Sequence, residues 1–186
     1  MKYNTYSISA GLVIFASLAP GILFAENNVG FGVGSGGQAG AVNISIDYSK
    51  FTTDKHLNYI FGCGFSAIFN NDNVPGEILD YSIPHYDYHV IHKQPNPEYA
   101  FYTKLGIEPI PGSGLFVFGT GGVSIAEKED IAVSNATGWL YKLSSTSKYS
   151  GLFGGGAAFY PNGSRISLQC EYDNRRGVVG SVGYRW

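Results

Sequence analysis

The segment "HYDYHVIH" holds the densest set of side chains that could do chemistry. It places His85, His89 and His92 close to Asp87. Imidazole and carboxylate groups are ligands that suit zinc, copper or nickel. The i, i+4, i+7 spacing would gather the three imidazoles only on a helix, whereas three prolines between positions 84 and 97 favour an irregular loop. We weigh a metal site at these four residues against an aromatic, polar recognition loop and favour the loop.

The elements that would position such a loop are strands, because the chain alternates with a period of two. At the C-terminus, one row of a predicted hairpin is apolar and the other is polar and charged, and a turn signal, "DNRRG", joins its two strands. In a soluble sandwich the apolar row would face a core. In a membrane barrel it would face lipid, so this hairpin alone fits both classes.

Alternating segments recur eight times along the chain. They lie near 29–36, 41–51, 58–69, 99–111, 115–126, 148–161, 165–173 and 178–186. Most have about the 9 to 11 residues that a tilted strand needs to cross a bilayer. Two connections, near 70–98 and 127–147, are long and polar, and both fall on the same side if the termini lie on the other. This asymmetry is typical of outer-membrane barrels.

The position of the charges separates the two classes. One row of each segment is free of charge, including Val42 to Tyr48 on the second segment, and this row is predicted to face lipid. The opposite row is predicted to fill the interior with a polar plug formed by Asp47, Lys104, Glu108, Arg165, Glu171 and Arg185. Phe116 and Phe118 fall on that inner row as apolar exceptions. A glycine row at 30, 32 and 34 leaves a groove across which Asp47 and Arg185 are predicted to meet.

The N-terminus predicts export. A single Lys, an apolar run of about a dozen residues and a Pro-Gly break precede Ala25, which is the layout of a secretory signal peptide over residues 1–25. The barrel domain would then occupy 26–186. The net charge of -2 excludes the strong basic excess expected of a nucleic-acid partner.

The last strand closes on an aromatic residue after alternating apolar positions, with Val182, Tyr184 and Trp186 in one row. In this the chain resembles the family of small outer-membrane barrels of the outer membrane protein A and X type, and the resemblance in pattern covers most of 27–186. The resemblance implies an eight-stranded antiparallel up-and-down transmembrane β-barrel. It also implies that these three residues are an assembly signal read by the barrel assembly machinery, and that the outer membrane and its lipopolysaccharide surround the barrel.

Some small barrels are enzymes that trim or transfer acyl chains on outer-membrane lipid. A deacylase of this kind needs a His-x-Ser pair near an acid, and no histidine of this chain is followed two residues later by serine. We therefore predict a non-enzymatic barrel without a cofactor, whose extracellular loops serve recognition of a ligand that the sequence does not name. A lipid-modifying deacylase or acyltransferase and a periplasmic β-sandwich binding protein are the alternatives. Cys63 and Cys170 fall on outward rows of distant strands and are predicted to be free thiols.

Overall fold

The computed structural model describes residues 24–37, 40–52, 57–69, 78–79, 87–94 and 97–186. Ten strands and no helix lie in this part of the chain. They are β1 (Phe24–Gly36), β2 (Gly40–Thr52), β3 (Tyr59–Phe69), β4 (Ile78–Leu79), β5 (Tyr88–Lys93), β6 (Glu98–Ile107), β7 (Leu115–Ser134), β8 (Leu140–Phe159), β9 (Ile166–Asp173) and β10 (Gly177–Arg185).

Eight of these strands close into a ring. Each is antiparallel to the next in the order β1, β2, β3, β6, β7, β8, β9, β10, and β10 pairs back with β1 from Asn28–Arg185 to Ser35–Val178. Two packed sheets would leave open strand edges there, and the ring has none at that seam. The protein is therefore an eight-stranded antiparallel up-and-down barrel, as the sequence predicted, and the β-sandwich alternative is wrong.

The two rows of the barrel strands face different surroundings. Outward residues are apolar and exposed, with Phe31, Leu105 and Phe153 each about two-thirds accessible. Inward residues are mostly buried, and small, polar and charged side chains lie there beside two apolar clusters. Lys50, at the inner end of β2, is a charged residue on the outward row. Its position at the rim lets a long side chain reach the polar boundary of a membrane.

Phe116 and Phe118 lie inside the barrel, as predicted from their positions on the inward row of the strand. They pack with Phe51, Ile60, Ala158 and Tyr160 in a buried cluster towards the end where the short turns lie. The ring of Phe51 is 4.6 Å from that of Tyr160 and 5.8 Å from that of Phe116. The apolar residues are thus a local core that closes the inner end of the lumen.

The region predicted as a long loop near 127–147 is instead mostly strand. β7 and β8 continue past the barrel as a hairpin, paired from Ala126–Lys148 to Val133–Leu140 with one irregularity at Asp130. β5 pairs with the outer part of β7, and β4 pairs in parallel with the tip of β8. We name the resulting unit of β5 and the outer parts of β7 and β8 the outer sheet. The loop predicted near 70–98 supplies β4 and β5, and its residues 70–77, 80–86 and 95–96 lie outside the described part.

Two further predictions concern positions at the start and on the outside of the barrel. The predicted signal peptide lies outside the described residues except Phe24 and Ala25, which belong to β1. Cys63 and Cys170 are both free, as predicted, with Cys170 exposed on β9. No helix in the described part of the chain is long and apolar enough to span a membrane.

Candidate functional site

The centre of the lumen is organised by one ammonium group. Lys104 on β6 is fully buried, and its Nζ lies 3.4 Å from Asp47 Oδ2 on β2 and 3.2 Å from Glu171 Oε2 on β9. It also donates a hydrogen bond to Gln169 Oε1 at 3.0 Å. The structure therefore brings together three of the six predicted interior residues, Asp47, Lys104 and Glu171, from three separate strands.

Two arginines that the sequence analysis assigned only to a turn also lie inside. Arg176 is fully buried, and its guanidinium lies 2.6 Å from Asp173 Oδ2, 2.9 Å from Glu171 Oε1 and 3.9 Å from the centre of the Tyr102 ring. Gly177, with φ of +72°, lets the β9–β10 turn reverse within a few residues against the β1–β2 turn. Both arginine side chains turn back into the lumen and are buried there.

Arg175 closes the outer end of the lumen. Its guanidinium forms a forked pair with Glu98 on β6, in which Nε donates to Oε1 at 2.9 Å and Nη2 donates to Oε2 at 2.6 Å. β6 lies across the ring from β10, so the pair spans the barrel. A planar guanidinium that faces a carboxylate with two parallel hydrogen bonds is a strong, directional contact.

The predicted pair of Asp47 and Arg185 is wrong. Asp47 is level with Gly30 on β1, whereas Arg185 is level with Asn28, one step nearer the inner end. Arg185 Nε lies 2.9 Å from Glu26 Oε2 instead, while Lys104 reaches Asp47 from across the lumen. The register of the closing pair β10–β1 therefore separates the two groups.

The remaining predicted interior residues lie at the inner end. Arg165 is exposed outside the lumen, where its Nη1 donates to the Tyr184 hydroxyl at 3.1 Å, so its assignment to the interior is wrong. Glu108 is buried beside the β6–β7 turn and accepts hydrogen bonds from Asn58, Ser113 and the amide of Gly114. These two residues and Arg185 are not part of the group around Lys104.

The inner mouth of the lumen holds a cavity of about 430 Å³. Its wall includes Glu108, Arg185 and rings of the buried apolar cluster around Phe51. Burial of Glu108 would raise its pKa, but hydrogen bonds from Asn58, Gly114, Gly112 and Ser113 outweigh that effect and hold the pKa below its usual value. Glu108 is therefore an ionised anchor for the turn. Its oxygens are occupied by these donors, which makes it a poor proton acceptor for a ligand.

The outer sheet separates the residues of the metal candidate. His92 Nδ1 lies 2.7 Å from Asp130 Oδ1, and this contact lowers the pKa of Asp130. His89 Nδ1 lies 2.7 Å from Asn135 Oδ1, and Asn135 also donates to Asp87 Oδ1 at 2.9 Å. His89 and His92 are three positions apart on a strand and so point to opposite faces. His85 lies outside the described residues, and no group of metal-ligating side chains is found among those described.

The outer sheet also places a serine beside an acid and a histidine. Ser144 Oγ donates to Asp130 Oδ2 at 3.1 Å, while His92 contacts the other oxygen of the same carboxylate. The serine is thus bonded to the acid and not to the histidine. A nucleophilic serine needs a base that takes its proton, so this arrangement serves to join three strands rather than to activate a hydroxyl.

The predicted assembly signal lies on the outside of the last strand. Val182, Tyr184 and Trp186 are each about half exposed, and the rings of Tyr184 and Trp186 stack with centroids 6.3 Å apart. The main chain of Trp186 exchanges two hydrogen bonds with Asn27, which extends the seam by one residue pair. The signal itself stays a prediction, since the position of these residues also suits an aromatic girdle.

These features define a class of protein: a closed, small antiparallel barrel with an apolar outside and an ionic interior, which is the architecture of the small transmembrane barrels. The assignment follows from the strand pairing and from the distribution of charge.

Solved structures that are similar to this chain include two of the same protein. Both are crystal structures of Ail, the attachment invasion locus protein of Yersinia pestis, one of them in complex with the heparin analogue sucrose octasulfate. The TM-scores are 0.45 for the complex and 0.44 for the other structure, at 14% and 12% sequence identity, and each comparison covers 87% of this chain and 97% of Ail. No protein-family model and no curated protein sequence matches the chain.

Proposed function

We propose that the chain is an integral outer-membrane barrel without enzymatic activity, whose outer sheet is a recognition surface. The observation that carries the membrane assignment is the apolar outward row around a closed ring. Phe31, Leu105 and Phe153 would each expose most of their side chain to water in a soluble protein. A monomeric soluble protein rarely exposes so continuous an apolar belt, whereas lipid requires one.

The proposal includes an orientation. The turns after β2, β6 and β8 lie at the end that holds the C-terminus, and the β7–β8 hairpin extends from the other end. Outer-membrane barrels place short turns on the periplasmic side and long connections outside. The outer sheet would then face the exterior of the cell, and Trp186 would lie at the inner boundary of the membrane.

The buried ionic network supports a plugged interior. Arg175 and Glu98 span the outer end, Lys104 links strands across the centre, and aromatic rings fill the inner end. An eight-stranded ring is only wide enough for its own side chains. The barrel would therefore not conduct solutes as an open pore, and its contribution would lie in the surface that it presents.

The recognition surface that we propose is the free edge of β8. β8 pairs with β9 only from Gly154 to Phe159, so residues 143–150 have no strand neighbour on that side within the described part of the chain. The edge carries Ser144, Ser145, Thr146 and Ser147, all exposed. It extends roughly 27 Å along the strand direction at the usual 3.3 to 3.4 Å per residue. An unpaired strand edge can bind an extended segment of a partner through main-chain hydrogen bonds.

The membrane orientation can be tested by cysteine labelling. In a background in which Cys63 and Cys170 are replaced by alanine, Thr146→Cys should react with a membrane-impermeant maleimide on intact cells. Gly163→Cys, in the β8–β9 turn, should react only after the outer membrane is permeabilised. Equal labelling of both positions on intact cells, or of neither, would contradict the orientation.

The recognition role needs a separate test with a defined probe. A random-peptide phage library panned against the detergent-solubilised protein should yield extended peptides that bind the outer sheet. Ser145→Pro and Ser147→Pro, which remove a main-chain donor from the β8 strand, should weaken the binding of those peptides. Asn162→Pro in the opposite turn is the matched control. Peptides that bind all three variants equally would refute the proposed edge.

Export and assembly remain proposals of the same kind. Cleavage after Ala25 can be checked by N-terminal sequencing of the protein from the outer-membrane fraction. The barrel assembly machinery and lipopolysaccharide are the partners that an outer-membrane barrel would meet, and Val182, Tyr184 and Trp186 are the residues proposed to be read during assembly. Intact lipopolysaccharide after incubation with the protein would agree with the absence of deacylase or acyltransferase activity.

A further inference from the structure

The charges buried in the lumen do not balance. The described side chains that meet there are three cations and four carboxylates, namely Lys104, Arg175, Arg176, Asp47, Glu98, Glu171 and Asp173. One negative charge is left over. Glu108 at the inner mouth is also anionic, and the Arg185–Glu26 pair is neutral, so neither offsets the excess. A buried charge without compensation is costly, and the lumen should therefore take up one positive charge.

Asp47 is the carboxylate with the least support. It is 2% exposed, its closest cation is Lys104 at 3.4 Å, and among the described residues neither of its oxygens has a hydrogen-bond partner. By contrast, Glu98 has a forked guanidinium, and Asp173 also accepts the amides of Arg175 and Arg176. The excess charge is thus best assigned to Asp47.

Two further buried oxygen atoms without partners among the described residues lie at the next inward position along the same groove. Ser45 Oγ and Ser181 Oγ are buried, and within the described part of the chain neither has a hydrogen-bond partner. Both lie over Gly32, at 2.5 and 2.4 Å from the point where a Cβ of that residue would stand, and Asp47 lies over Gly30 in the same way. Gly30 and Gly32 face the lumen two residues apart, so one short stretch of groove gathers the carboxylate and both hydroxyls.

We propose that this groove binds a monovalent cation such as sodium, held by the Asp47 carboxylate and the hydroxyls of Ser45 and Ser181. These are hard oxygen ligands, which suit an alkali-metal or similar hard cation rather than a soft transition metal. A single excess negative charge beside the Lys104 ammonium matches one positive charge and not two. The occupied site ties β2 to β10 across the glycine row of β1, and so stabilises the barrel next to its closing seam.

The test uses the full chain, purified and folded in detergent, at about pH 8, where carboxylates are ionised. The unfolding temperature is measured in sodium chloride and in choline chloride at equal ionic strength, so that screening is the same in both. We expect unfolding several degrees higher in sodium, with a concentration dependence that saturates. Equal unfolding temperatures in the two salts would overturn the proposal.

Substitutions at the proposed ligands test whether sodium acts at this groove. Asp47→Asn and the double variant Ser45→Ala with Ser181→Ala should each lose most of the difference between the two salts, even if their overall stability falls. Ser124→Ala removes another buried hydroxyl of the lumen, on β7, and should keep the full difference. A sodium effect that persists in Asp47→Asn would overturn the assignment.

A proton could neutralise Asp47 in place of a cation, and the same assay separates the two. In that case the wild type would gain stability as the pH falls towards the range of carboxylate titration and would not respond to sodium. Lys104 on β6 contacts Asp47, and Glu171 on β9 contacts the same ammonium group. Asp47→Asn would then remove the pH response. This result would also refute the cation site.

Discussion

Replacing Arg176 with methionine should be among the most damaging single changes to the barrel. The guanidinium is fully buried and contacts Glu171, Asp173 and the Tyr102 ring. Methionine keeps much of the side-chain volume but leaves the Glu171 carboxylate in the lumen with Lys104 as its remaining cation. Removal of one partner of a buried ion pair typically costs about 3 to 5 kcal/mol, and we expect Arg176→Met to lower the free energy of unfolding by that amount.

The assay is urea unfolding of the protein folded in detergent or lipid vesicles, followed by tryptophan fluorescence and by the shift in gel migration on heating. Arg165→Met is the matched control, because Arg165 is exposed and its side chain donates a hydrogen bond to the Tyr184 hydroxyl. It should change the free energy of unfolding by about 0.5 kcal/mol or less. The two variants remove the same charge, so their difference isolates burial.

A second substitution tests the cause. Glu171→Gln in the Arg176→Met background neutralises the carboxylate that has lost its partner, and the double variant should be less unstable than the sum of the two single changes. If Arg176→Met costs less than about 1 kcal/mol, within the range of an ordinary exposed pair, the lumen is wetter than the contacts indicate and the reasoning fails.

Further predictions follow from other parts of the barrel. Gly64→Ala should cost about 1 to 3 kcal/mol in urea unfolding, because a Cβ there would lie 2.3 Å from Tyr102 Cζ, whereas Gly180→Ala meets open space and should be near neutral. Because the folded-state pKa of Glu108 is lowered, its contribution to stability should be complete above the pKa of the unfolded chain, about 4.3, and vanish as the pH falls through the folded value. Glu108→Gln should thus lose stability relative to the wild type near neutral pH, and the gap should close in acid. Trp186→Asp should fail to reach the outer membrane while Trp186→Phe inserts normally, and equal insertion of both would refute the assembly signal. The mass of the unfolded, alkylated protein should show two modified cysteines without prior reduction.

The barrel itself was predictable because lipid imposes a simple rule on the outward row. Val42, Ile44, Ile46 and Tyr48 alternate with polar residues, and the structure exposes all four. The ends of the strands were predicted less accurately from the sequence. Residues 127–147 were not recognised as strands because hydrophobicity does not alternate where the hairpin leaves the barrel: Glu127 opposite Ser147 and Lys128 opposite Thr146 are polar and exposed on both rows. Long-range pairing, which a local pattern does not contain, makes these residues strands.

The contacts between side chains inside the lumen were harder to predict than which side chains face the lumen. A period of two indicates which side of a strand a residue faces, but a salt bridge across the barrel depends on the stagger of every strand between its ends. Asp47 is level with Gly30 and Arg185 with Asn28, two residues apart along β1, and Asp47 contacts Lys104 instead. The assignment of Arg165 to the interior was wrong for a related reason. Arg165 lies one residue before β9, where the row no longer faces the interior.

The two arginines of the β9–β10 turn show where a sequence signal did exist. A short polar turn between two strands is normally solvated, and "NRRG" was assigned on that basis. Asp173, one residue before the turn, accepts the main-chain amides of both arginines and also contacts the side chain of Arg176. An acid followed within four residues by two arginines and a glycine with positive φ can therefore fold its own cations back into a barrel that carries excess carboxylates. The inward rows are richer in acids than in bases. Together with the turn sequence, this excess of acids would have predicted that the two arginines point inward.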